Sequence, residues 1–323
     1  MNEYPIDQIP DEKWWSENFA VAFCDAKSNI TVFHSTGRWH SDPTLWREFT
    51  MIKVPDHPPL FYRGYGRGAT PHGPGGGVSQ YTITKPEKEG HLTFRGPVWE
   101  RCEDNRFLLE EPPVDVCEID VTFTGVAPLW DMKGSSVEAA TQIGSLHTEQ
   151  IGCGSGSVKY KGKTYVLDNS YAIRDHSRGV RDMTHFGAHA WLNGRFSSGR
   201  SFHVYAARAQ GQAVGELGMS NAVIFEGQKQ YDAKVLAVEL LTSTDISQSS
   251  HTLSLESDLG IMNIKITKPI DSFPYFMVMP FDTTVNPVKS KNCATMIDEA
   301  VHMEWEGLEG VGWSERGIAE HPL

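Results

Sequence analysis

A basic surplus is missing from this 323-residue chain: 29 lysines and arginines stand against 41 aspartates and glutamates, a formal charge of −12. Nucleic acid is therefore not an expected partner, because phosphate backbones are bound through a cationic surplus. No run approaches the roughly 18 unbroken apolar residues of a membrane-spanning helix. The opening MNEYPIDQIPDEKWW is polar and acidic, where an export signal would be basic and then apolar. Cys-x-x-Cys pairs are missing too. The five cysteines (Cys24, Cys102, Cys117, Cys153, Cys293) are odd in number and scattered, which indicates neither a disulfide framework nor a zinc knuckle. A reducing cytoplasm fits these absences, and the glycosylation-like triplet Asn29-Ile30-Thr31 is discounted with them.

What is present is a core and many chain breakers. Hydrophobic residues make up 39% of the chain and aromatics 11%, enough for a globular protein. Thirty glycines and eighteen prolines leave little room for long helices and favour short strands joined by turns. Phe19 to Phe23 and Ile30 to Phe33 flank a polar turn, as a hairpin would. Strand-like runs recur at Glu48 to Val54, Leu60 to Tyr65, Val78 to Thr84, Val116 to Val126, Gly187 to Leu192 and Ser201 to Ala207. Near the end Val301, Met303 and Trp305 alternate with His302, Glu304 and Glu306, the period of a strand with one buried face. The expectation is an all-β antiparallel protein of two sandwiches or closed barrels. The less β-like stretch from Met132 to Leu146, with room for a short helix, divides them into 1–140 and 141–323.

Several motifs resemble functional ones without their context. Gly64-Tyr65-Gly66-Arg67-Gly68-Ala69 spells a dinucleotide fingerprint, but the following Thr70-Pro71-His72-Gly73-Pro74-Gly75-Gly76-Gly77 cannot start the helix that fingerprint needs. It reads as a glycine loop, and a barrel-mouth lid is one role for it. His185 and His189 have the spacing of a helical metal pair, yet their neighbours read as strand, which would separate them by about 13 Å. No nucleophile elbow is present.

The informative stretch runs from Tyr171 to Asp182 and packs Arg174, Asp175, His176, Arg178, Arg181 and Asp182 together. It reads either as a solvated charged turn or as an arginine-carboxylate network at the mouth of an apolar cavity. Burial would raise a carboxyl there and arginines would lower it. His147 and Glu149 form a second, weaker polar cluster.

Asp175-His176-Ser177, with Gly179 and Arg181-Asp182, resembles the G-x-R-D-H-S-W-G-P-R-D signature of the carotenoid hydratase (hydroxyneurosporene synthase), AttH-like group. The opening Trp14 to Phe19, the hairpin Gly156 to Asp168 and the ending Gly310 to Gly317 are similar as well, so the resemblance spans nearly the whole chain. It implies two tandem lipocalin-like β-barrels or strongly bent sandwiches with few short helices and a ligand cavity near their junction. It implies acid-base chemistry on a hydrophobic small molecule, with no cofactor and no metal. Arg178 replaces the family tryptophan and Val180 the proline, which removes an aromatic surface and makes a long carotenoid a poorer fit.

Hydration or dehydration needs a proton donor and protection of an electron-poor carbon. Asp175, kept neutral in a dry pocket, is the expected acid, with Arg174 and Arg181 orienting it. His176 or His147 would handle water, with Glu149 beside the latter. Trp39, Trp46, Tyr62, Trp130, Trp191 and Tyr205 are candidate cavity aromatics because they lie on strand-like runs, and Arg178 and His189 are candidate polar contacts. The expected activity is a lyase or isomerase acting on a terpenoid, steroid or polycyclic aromatic compound. A hydrophobic-ligand carrier and a cyclase or pericyclase are the alternatives.

Overall fold

The computed structural model describes residues 3–101, 113, 115–132, 144–181, 185–244, 251–278, 282–284 and 293–319, which form nineteen strands. The first ten are β1 (Trp15–Asp25), β2 (Ile30–Trp39), β3 (Asp42–Lys53), β4 (Leu60–Gly66), β5 (Ser79–Lys85), β6 (Glu89–Glu100), β7 (Asp115–Gly125), β8 (Trp130–Asp131), β9 (Leu146–Tyr160) and β10 (Lys163–Val180). They pair in the order β10-β1-β2-β3-β4-β6-β7-β9, and β9 pairs back onto β10, so eight strands close on themselves. Closure leaves no exposed edge in the ring. The division expected at 140/141 falls inside it: β9 and β10 lie beyond that point in sequence and complete the first barrel.

The remaining strands are β11 (Phe186–Phe196), β12 (Ser201–Ala209), β13 (Met219–Glu226), β14 (Lys229–Val238), β15 (His251–Ser257), β16 (Gly260–Val278), β17 (Asp282–Thr284), β18 (Cys293–Trp305) and β19 (Leu308–Ala319). Their order is β15-β14-β13-β12-β11-β19-β18-β16, and β16 pairs back onto β15 to close a second ring. The architecture is thus all-β with two tandem lipocalin-like barrels. The helix expected within Met132–Leu146 lies mostly outside the described residues, as do Asp182 and Cys102. Among the described residues no helix is long and apolar enough to cross a membrane.

Each barrel has its own interior, and a third core joins them. Phe19, Val21, Phe23 and Ala172 point into the first barrel, and Ala190, Leu192 and Val204 into the second. Ala22, Phe33, Phe49 and Ile173 on the outer face of the first pack with Trp191, Tyr205, Phe273 and Trp313 on the outer face of the second. Strands at this junction are buried on both faces, which is why β1 and β18 read as nearly continuous buried runs rather than alternating ones.

The glycine loop is not a lid over this junction. It folds onto Glu48, whose carboxylate accepts hydrogen bonds from the backbone N–H of Gly77 at 2.7 Å and Ser79 at 2.9 Å. A Cβ on Gly76 would sit 2.0 Å from the Glu48 carboxyl carbon, so only glycine lets the backbone approach that closely.

Candidate functional site

A small cavity opens between the barrels, within about 770 Å³ of free space that includes open solvent. The cross-strand register explains its walls. On the first barrel Ser35, Ala20, Asp175, Glu149 and Trp130 stand side by side across β2, β1, β10, β9 and β8. On the second, Tyr205, Trp191, Glu315 and Asp298 stand side by side across β12, β11, β19 and β18. Because side chains alternate along a strand, each row projects to one face. Phe33, Met277 and Met296 add apolar lining, and Arg181 closes one side.

His147 lies two residues before Glu149 on β9 and therefore on the same face. Its Nε2 is 2.5 Å from Asp175 Oδ2 and 3.5 Å from Glu149 Oε1. Glu149 is fully buried, and its other oxygen meets His203 Nδ1 at 2.7 Å. Trp130 stacks on His203 with centroids 5.5 Å apart. Burial alone would lower His147, but the Asp175 and Glu149 carboxylates outweigh it and hold the imidazole above its ordinary 6.5. His147 is therefore held toward its imidazolium form beside Asp175. The Asp175 side chain keeps 13% of its surface open to the cavity.

The opposite wall carries a second pair. His189 Nε2 lies 2.8 Å from Glu315 Oε1, and the Tyr275 hydroxyl donates to Glu315 Oε2 at 3.3 Å. Behind Glu315, burial and then the Glu315 charge push the Asp298 carboxyl well above its ordinary range. Burial pushes Tyr205 up to about 12, so its phenol remains a donor at neutral pH.

The structure sorts the sequence candidates. His147, Asp175, Arg181, His189, Trp191 and Tyr205 line the cavity, and Glu149 supports it from behind. Arg174, His176 and Arg178 do not: they occupy the other face of β10, inside the first barrel. Arg174 donates to Gln150 at 2.9 Å and pairs with Glu3 at 2.9 Å. His176 stacks on Phe19 at 3.9 Å and meets Glu17 Oε1 at 3.2 Å, with Arg178 on the same oxygen at 3.5 Å. Burial lowers His176, while, against its own burial, the Glu17 carboxyl is held below its ordinary value by His176 and then by Arg38, at 3.0 Å. Trp46 and Tyr62 belong to the interior core, Trp39 packs edge-on against Tyr65, and Trp130 belongs to the junction core beneath the cavity. His189 sits on a strand, as read, and His185 just precedes it. Glu315, Tyr275 and Asp298 carry no motif or composition signal of their own in the sequence. Glu315 lies in the Gly310 to Gly317 segment that carries family likeness, and that was the available signal.

One atom each of His147, Glu149 and Asp175 lie within 4.8 Å of one another, a donor set of a kind that can hold a divalent cation. His147 is held above its ordinary 6.5, so a cation at this triangle would have to displace a proton from the imidazole.

Two lipocalin-like barrels enclosing a junction cavity with paired histidines and carboxylates define the class of protein. Within that class, the chain belongs to the DUF7064 family, a domain of unknown function matched over residues 3–318. No curated protein matches the sequence. Among solved structures, CghA with Sch210972 is similar at 11% identity and a TM-score of 0.59, over 96% of this chain and 89% of that one. A structure assigned to AttH from Nitrosomonas europaea is similar at 11% identity and 0.60, over 94% and 92%. Kievitone hydratase from Nectria haematococca is similar at 11% identity and 0.50, over 99% and 95%. At this identity the likeness is one of fold.

Proposed function

We propose that this protein is a lyase or isomerase of the hydratase or cyclase type, acting by acid-base chemistry on a hydrophobic small molecule in the junction cavity. The observation that carries the reading is the His147–Asp175 pair, 2.5 Å apart, opening on a cavity whose mixed lining includes the apolar side chains of Ala20, Phe33, Trp191 and Met296. A cationic imidazole beside a carboxylate can protonate a leaving hydroxyl and take the proton back in the reverse direction. Low local polarity strengthens its field on a developing charge. The apolar lining suits a terpenoid, a steroid or a polycyclic aromatic compound. That one structural neighbour is a hydratase supports the reaction class at the level of fold.

The test is to identify by mass spectrometry the small molecules that co-purify with the protein, and to assay these and their dehydrated or hydrated counterparts in heavy water. Turnover lost in His147→Gln and Asp175→Asn, with ligand still bound, supports the reading. Ligands returned unchanged across the panel would make the protein a carrier. Cyclised products without solvent label would make it a pericyclase.

A further inference from the structure

The cavity has two histidine-carboxylate pairs rather than one, and they come from different barrels. His147–Asp175 is supplied by β9 and β10 of the first, and His189–Glu315 by β11 and β19 of the second. Tyr205 stands between them: its ring lies 6.5 Å from that of His147 and 5.9 Å from that of His189, on which it stacks. The second pair is built with care. Gly317 is the cross-strand partner of His189, and a Cβ there would approach the imidazole Nδ1 to 3.0 Å and the Met296 sulfur to 2.5 Å. Glu315 is fixed by Tyr275 at one oxygen and His189 at the other, while keeping 19% of its surface open.

Resting on the reading just proposed, we infer that His189 and Glu315 are a second catalytic pair. They take a proton from carbon on one wall while His147 delivers one to oxygen on the other, and the substrate is an apolar β-hydroxy ketone or the corresponding enone. Tyr205, a buried phenol between the pairs, donates to the ketone oxygen and so acidifies the neighbouring C–H bond. Glu315, hydrogen-bonded to His189, accepts the hydrogen on that carbon as a proton. The C–H electrons become the new carbon-carbon double bond, and the bond from the next carbon to its hydroxyl breaks. The hydroxyl takes the His147 proton and leaves as water. Atoms and charge balance as β-hydroxy ketone to enone plus water, and exchange with solvent returns the two pairs to their starting states. The reverse sequence is hydration.

The two halves of this reaction can be read separately. Benzylacetone, a ketone without the hydroxyl, tests proton removal from carbon, and the aldol adduct of benzaldehyde and acetone tests elimination. Binding of each is measured by saturation-transfer NMR, and deuterium entry from heavy water by mass spectrometry. The expected result is exchange next to the carbonyl in the wild type, slowed by about 100-fold or more in Glu315→Gln and retained in His147→Gln. Elimination is lost in both variants. Should Glu315→Gln fail to fold by circular dichroism, His189→Gln reads the same exchange. Undiminished exchange in these variants, ketones that bind without exchanging, or a cavity that takes neither probe each overturn the inference. Exchange without elimination in the wild type removes the β-hydroxy ketone as substrate together with the lyase reading, and leaves only the assignment of Glu315 and His189 as a proton-removing pair.

Discussion

Asp175 and His176 are joined by a peptide bond and face different compartments. Asp175 meets His147 in the cavity between the barrels, and His176 stacks on Phe19 inside the first barrel. Strand alternation alone produces this separation, and it sets different outcomes for the two residues.

Asp175→Asn is expected to lower turnover by about 10²–10⁴-fold, the usual worth of a positioned proton-transfer group, with little change in the fold. His176→Ala is expected to act on stability instead, costing about 1–3 kcal/mol as the Glu17 carboxylate loses a partner and Phe19 a stacked ring. Steady-state kinetics beside urea denaturation separates the two. A His176 variant that folds normally but is inactive would return that residue to the catalytic set.

The pH dependence follows from His147. Its folded value lies above the ordinary 6.5 because of Asp175 and Glu149. The imidazolium, and the stability it contributes, is fully present below 6.5 and is lost as pH rises through the higher folded value. Activity in the direction that uses His147 as acid should fall over that same alkaline limb. In Asp175→Asn the limb should move to lower pH, because the largest charge raising the imidazole is gone. NMR titration of the His147 ring checks both statements, and an unmoved midpoint would break the pairing.

Chelator and cation should have modest effects. With His147 held toward its protonated form in the His147–Glu149–Asp175 triangle, EDTA is expected to leave turnover unchanged and added Zn²⁺ to compete only as pH rises. Activity that disappears with chelator and returns with a metal would replace proton transfer by Lewis-acid chemistry at the same three residues.

Burial, and then Glu315, raise the Asp298 carboxyl well above its ordinary range. Since its folded value is raised, its contribution to stability is intact below the ordinary 3.8 and declines as pH rises through the folded value. Asp298→Asn, neutral at every pH, should flatten that decline in a series of thermal melts. Parallel curves for the two proteins would mean that Asp298 ionises without cost.

Gly76→Ala would drive a Cβ into the Glu48 carboxyl, 2.0 Å away. We expect a loss of about 1–3 kcal/mol, the usual cost of overpacking, with ligand affinity in the cavity unchanged because the loop does not line it. Equilibrium denaturation and binding measured on the same preparation decide this, and weaker binding at full stability would restore a lid.

Much of the protein was legible before any coordinates. Frequent glycine and proline, with period-2 runs, required an antiparallel β fold, and the stretch around Asp175 marked the charged part of the cavity. The same periodicity also held unused information, since Arg174, His176 and Arg178 share a parity that Asp175 does not. Aromatic residues were the weakest guide. Trp46 and Trp191 lie on equally strand-like runs, yet one fills a barrel and the other a cavity wall.

The chain order by itself determined which side chains share a strand face, because that depends only on local geometry. Which of the two faces becomes a barrel interior and which a junction, and that Asp175 and Glu315, 140 positions apart, border one cavity, was decided by ring closure and barrel docking. Those are long-range events, driven by the burial of Phe33, Phe273 and Trp313 together, and no local pattern encodes them.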